Sequence, residues 1–204
     1  MKSSMPYYGL DAKTMRSVCR ETFAKHALTT PQAWRDAALR LWRDATHREE
    51  RYAAIELTGA RPYREAPFQT IDALEMYDEM IVTGAWWDYV DVIAIHRVGE
   101  HLLRAFPGPM KKTLLRWAKD DDIWRRRTAI ISQVSFKKDT DLDLLERAIA
   151  PSLARKEFWL RKAIGWALRQ YAWVDPKWTQ RYVRAHDAEL SGLSKREALK
   201  NVSR

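Results

Sequence analysis

Within the stretch Ala85-Trp86-Trp87-Asp88-Tyr89-Val90-Asp91, two indoles stand beside two carboxylates. On a helix, Trp87 and Asp91 are four positions apart and share a face, while Trp86 is turned about 100° away and reads as core. An indole face beside a carboxylate can hold a positively charged base, and the same carboxylate can stabilise positive charge developing on a sugar. The residues also fit a plainer arrangement, in which Trp87 packs inside while Asp88 and Asp91 complement the positive end of the helix.

Two further clusters carry positive charge. Arg125, Arg126 and Arg127 follow one another after Asp122-Ile123-Trp124, so their guanidinium groups fan around a helix; each has the fork that matches phosphate, although Arg125 and Arg126 taken singly read as a solvated face. In the segment 156–169, Lys162, Trp166 and Arg169 or Gln170 fall along one helical row. Gly165 in that helix costs about 1 kcal/mol relative to alanine, which points to close packing against a neighbour. Trp166 is equally compatible with a core position.

The elements that must position these groups are helical nearly throughout. Thr30-Pro31 makes an N-cap followed by proline at the first helical position, and Trp34, Ala37, Ala38, Leu41 and Trp42 follow at spacings of three and four. Helices are expected over 11–26, from Thr30 through Trp42, and over 48–58, 70–83, 86–106, 109–119, 122–136, 141–153, 156–173, 176–186 and 194–202, with Gly84 as a left-handed C-terminal residue. No convincing alternating strand run occurs. Residues 86–119, 122–153 and 156–186 look like three successive helix pairs at the spacing of helical solenoids. The expected fold is therefore all-α, a curved solenoid of antiparallel helix pairs in a single domain over 1–204, with at least one of the three consecutive arginines on its concave side. An irregular helical bundle is the alternative.

The 36 Lys plus Arg exceed the 27 Asp plus Glu, for a net charge of +9 in 204 residues, with both signs interspersed. Nucleic acid is the leading partner class for such a chain, although net charge alone also fits a merely basic soluble protein. Cys19 is the single cysteine, which excludes an intrachain disulfide, and His26, His47, His96, His101 and His186 are too scattered to suggest a metal cage. No apolar run approaches the roughly 20 residues that span a bilayer, and the start Met1 to Pro6 lacks the apolar segment of a signal peptide, so a cytoplasmic location is expected.

The ordered set Trp86-Trp87-Asp88-x-Val90-Asp91, Ile123-Trp124-x-x-Arg127, Lys156-Glu157-Phe158, Lys162-Ala163-Ile164-Gly165-Trp166-x-Leu168-Arg169 and Leu193-Ser194-Lys195-Arg196-Glu197-Ala198 resembles the AlkD-like DNA alkylation repair family, from about Gly9 to the C-terminus. The resemblance implies a DNA glycosylase built from HEAT-like repeats that excises N3- or N7-alkylated purines from duplex DNA held on the concave face. By position, Asp91 matches the family's catalytic carboxylate, Trp87 and Trp166 its aromatic pair flanking the lesion, and Arg127 its DNA-backbone arginine. Lys162, Arg169 and Arg16 complete the expected DNA-binding set.

The implied chemistry needs few groups. A cationic purine departs without a strong general acid, so Asp91 would stabilise the sugar cation and position water, with no lysine nucleophile, no metal and no cofactor. The product is an abasic site without strand cleavage. The family is associated with reading lesions on an open surface rather than in a flipping pocket, which leaves room for bulky adducts. The sequence departs from the family in lacking its usual extra N-terminal helix, with the aromatic contact that helix carries; Tyr7 or Tyr8 is the expected substitute. A monomer acting on alkylated duplex DNA is expected, with no membrane association. A non-catalytic module for distorted or branched DNA is the alternative function, and a helical scaffold for an acidic protein is a third.

Overall fold

The computed structural model describes residues 5–202. Residues 1–4, the start of the segment read as free of a signal peptide, lie outside the described residues. Among those described there are eleven α-helices and no β-strand, so the all-α expectation holds. No helix is long and apolar enough to cross a membrane. The chain divides into two compact units, one ending at Ile93 and the other beginning at Ala94.

The first unit contains α1 (Ala12–Lys25), α2 (Pro31–Arg43), α3 (Arg48–Thr58), α4 (Leu74–Gly84) and α5 (Trp87–Val92). Short polar side chains start the first two helices as their sequences predict. Asp11 accepts from the Lys13 and Thr14 amides, and Thr30 accepts from Ala33 ahead of Pro31, satisfying donors that a helix start leaves open. Helix α3 packs on α1, α2 and α5, and α4 packs on α2 and α5. Trp34, Trp42, Tyr77 and Tyr89 fill the interior, whereas Leu41, expected in the apolar stripe of α2, is exposed. Burying one such aromatic side chain contributes about 1.5–3 kcal/mol, more than the roughly 1 kcal/mol of a typical cap.

The end of α4 corrects one expectation. The left-handed residue is Ala85, at φ 43° and ψ 36°, and Gly84 is the last helical residue. Glycine is needed at 84 for packing instead: a Cβ there would stand 2.9 Å from the Trp42 indole. Helix α5 then runs on into a π-helical stretch, Ile93–Leu103, where the apolar pattern predicts ordinary α-helix to Phe106. Apolar spacing does not distinguish the wider winding, but Gly99 has a clear role in it. A Cβ at Gly99 would stand 2.0 Å from the Ser132 carbonyl oxygen, so only glycine lets that backbone approach.

The second unit continues with α6 (Pro107–Trp117), α7 (Ile123–Ile131), α8 (Leu142–Ile149), α9 (Phe158–Ala172), α10 (Pro176–Ala185) and α11 (Gly192–Leu199). Asp122, Asp141, Asp175 and Ser191 cap α7, α8, α10 and α11 by accepting backbone amides of the first turn. Helices successive in sequence are neighbours here, with α6 on α7, α7 on α8, α9 on α10 and α10 on α11. The longest, α9, also meets α7 and α11. Its inward residues Leu160, Ala163, Ile164, Ala167 and Leu168 share a core with Ile130, Ile149 and Val183.

Candidate nucleic-acid interface

Helix α5 places the first group of expected site residues. Trp86 is its extended N-cap and is half-buried, outside the helix rather than in the core, which corrects the expectation for it. Trp87, the first helical residue, is 38% exposed, while Tyr89 on the opposite side and Val90 are buried. Asp91 lies one turn beyond Trp87 and is half-buried. The arrangement with Trp87 in the core is thereby excluded.

Asp88 has a separate assignment. Its Oδ2 accepts from Arg48 Nη2 and, at 2.5 Å, from the Tyr52 hydroxyl, both on α3. The Arg48 guanidinium is 2% exposed and lies 5.7 Å from the ring centres of both Tyr52 and Tyr89. Burial, reinforced by the hydrogen bond to Asp88, pushes the Tyr52 phenol above its ordinary pKa, so it stays a donor. This buried knot fixes the first turn of α5 to α3. Nothing in the sequence marks Arg48 and Tyr52 as partners of a residue some forty positions away.

The segment ahead of α1 is fastened to the start of α3. Glu49 accepts from the amides of Tyr8, Gly9 and Leu10, and Tyr8 stacks on His47 at 3.9 Å while donating to Glu50 at 2.9 Å. Backbone donation from His47 is the main reason the Glu50 carboxyl falls to about 2. Of the two expected substitutes for a missing aromatic contact, Tyr8 is thus committed to α3, while Tyr7 is 71% exposed. Arg16 is exposed on α1.

In the second unit, Lys162, Trp166 and Arg169 line one row of α9, all three half-buried. Trp166 rests one side on the unit's core. Glu197 on α11 bridges the two cations, at 2.8 Å from Lys162 Nζ through Oε1 and 2.5 Å from Arg169 Nη1 through Oε2. The hydrogen bond from Lys162 leads the causes that hold Glu197 below the ordinary carboxylate range. Gly165 explains the closeness: a Cβ there would lie 2.5 Å from Glu197 Cβ and 2.9 Å from the Ser194 carbonyl, as its presence inside a helix suggested.

The three consecutive arginines meet different ends. Arg127 is 4% exposed and donates to the Trp159 carbonyl at 2.6 Å, seating the first turn of α9. Arg126, read as part of a solvated face, is buried; it donates to the carbonyls of Lys119, Asp120 and Pro151, closing the chain around the start of α7. Carbonyls left open at turns and helix ends offer a buried guanidinium more acceptors than its own helix face does. Arg125 is half-buried and pairs with Asp120 at 3.3 Å.

These arrangements give each unit an aromatic side chain beside charge on a surface-reaching helix. The chain matches the family described as DNA alkylation repair enzyme over residues 1–202, and it belongs to that family. Membership ties it to the repair of alkylated DNA and makes DNA its partner class. It is also similar to a solved structure described as a predicted DNA alkylation repair enzyme from Enterococcus faecalis, with a TM-score of 0.85 and 24% identity, covering 97% of this chain and 89% of that one. At that identity the likeness speaks for the fold. No curated protein matches the chain.

Proposed function

We propose that this protein, acting as one functional domain and as a monomer, is a monofunctional DNA glycosylase that removes cationic N3- or N7-alkylated purines from duplex DNA. The observation that carries the reading is the pairing on α5 of the exposed Trp87 with the half-buried Asp91, in a chain of this family, while the neighbouring acid Asp88 is held by Arg48 and Tyr52. Trp87 offers a π-face to a cationic base. Asp91 is the catalytic carboxylate, half-shielded from water, where its charge acts more strongly than in bulk.

The chemistry balances with these groups alone. The bond between C1′ and the base nitrogen breaks, its electron pair goes to the base, and the cationic purine leaves neutral. The sugar is left as an oxocarbenium ion, which the Asp91 carboxylate stabilises. Water adds at C1′ and gives up a proton to Asp91 or to solvent, leaving an abasic site in an intact strand. Trp166 serves as a second aromatic contact, and Lys162, Arg169 and Arg16 as backbone cations. Arg127, almost wholly buried, has the least surface to offer a phosphate and supports α9 through Trp159.

The test is base release from methylated duplex DNA, with Asp91→Asn as the control. Release by the wild-type protein and its loss in the control supports the reading. Salt-dependent binding to DNA with no release by either protein would make the protein a non-catalytic module for distorted or branched DNA.

A further inference from the structure

Two cations of α9, Lys162 and Arg169, are bound to a carboxylate of their own chain. Lys162 and Arg169 are both saturated, in part, by Glu197, one oxygen to each, and Trp166 lies between them on the same row. The acid is not a long side chain that happens to reach over. Its Cβ and the Ser194 backbone of the same helix are pressed against α9 at Gly165, and the Ser194 hydroxyl donates to the Arg161 carbonyl at 2.9 Å. Its side chain is 18% exposed, while those of Lys162 and Arg169 are 37% and 21% exposed, so both cations keep surface that a ligand can reach. An ammonium has three donors and a guanidinium five, so neither is exhausted by one contact to Glu197.

Resting on the DNA-binding reading above, we propose that Glu197 is a specificity-determining residue: an internal counterion that positions Lys162 and Arg169 and weakens the grip of this face on undamaged DNA backbone. A phosphate meets two aligned cations and one anion in place of two cations alone. The carboxylate repels phosphate and takes over part of the neutralisation that would otherwise release counterions from DNA. Tight binding must then come from elsewhere, including aromatic contact with a lesion.

The experiment is a titration of undamaged, mixed-sequence duplex DNA by fluorescence anisotropy over a series of salt concentrations, with wild-type protein, Glu197→Gln and Glu197→Asp. Glu197→Gln is expected to steepen the dependence of log affinity on log salt by about 0.9, the value of one further phosphate contact, and so to tighten binding up to about eightfold near ~0.1 M salt. Glu197→Asp, which keeps the charge, is expected to return toward the wild-type slope. A slope unchanged or shallower in Glu197→Gln overturns the inference while leaving DNA binding intact, whereas no binding of wild-type protein to undamaged or methylated duplex overturns both. Should Glu197→Gln fail to fold, Lys162→Gln and Arg169→Gln decide the matter. With Glu197 in place each should lower the slope by well under about 0.9, and a full loss of that size from either contradicts the proposal.

Discussion

Asp88 in the first unit and Glu197 in the second are both carboxylates that receive two donors from another helix, yet they do different work. Asp88 meets a guanidinium that is 2% exposed, in a knot of aromatic rings, and so belongs to the framework that holds α5. Glu197 meets cations whose side chains are still partly exposed. A basic chain can thus use the same ion-pair chemistry for support at one place and, as proposed above, for moderation of a binding face at another. What decides between them is how much water the cation keeps.

That contrast is open to breaking first at its buried side. Arg48→Met leaves Asp88 without its charged partner and is expected to destabilise the protein by about 3–5 kcal/mol, whereas Arg48→Met combined with Asp88→Leu should recover much of the loss. Urea unfolding with the double-mutant cycle measures it, and additive effects would argue against the knot. Next in size, Trp87→Ala should weaken binding to methylated duplex by roughly tenfold, within the range of one stacking contact, with a smaller loss of stability than a fully buried tryptophan such as Trp34 would give. A large drop in stability without loss of affinity would move Trp87 from the binding face to the framework.

The smallest effect concerns acidity. Glu50 has its carboxyl lowered from 4.5 to about 2 by backbone donors, so its contribution to stability is complete above about pH 4.5 and is lost as pH falls toward 2. Thermal unfolding across that window should show a decline that is shallower in Glu50→Gln. An equal decline in both proteins would assign acid sensitivity to other groups.

What is legible in the sequence is local. Thr30-Pro31, Asp11, Asp122 and Asp141 announce helix starts because their side chains act on amides two or three residues away. Gly165 announces a close neighbour because a mid-helix glycine needs a reason. The residues missed are those whose partners are distant in the chain. Asp88 to Arg48 and Arg126 to the Pro151 carbonyl are fixed by tertiary packing, which no spacing rule encodes. The π-helical winding after α5 shares its apolar residues with an ordinary helix, so the pattern is blind to it. For Glu197 a signal existed: an acid in an otherwise basic segment, on a helix following the glycine-bearing one.

The proposed role of Asp91 is to stabilise the sugar cation as an alkylated purine departs. It is tested by single-turnover release of methylated purines from duplex DNA, compared between the wild-type protein and Asp91→Asn of matched stability. A loss of roughly 10²–10³ in the release rate is expected, with DNA affinity little changed. Equal release by the two proteins, or none by either, would contradict it.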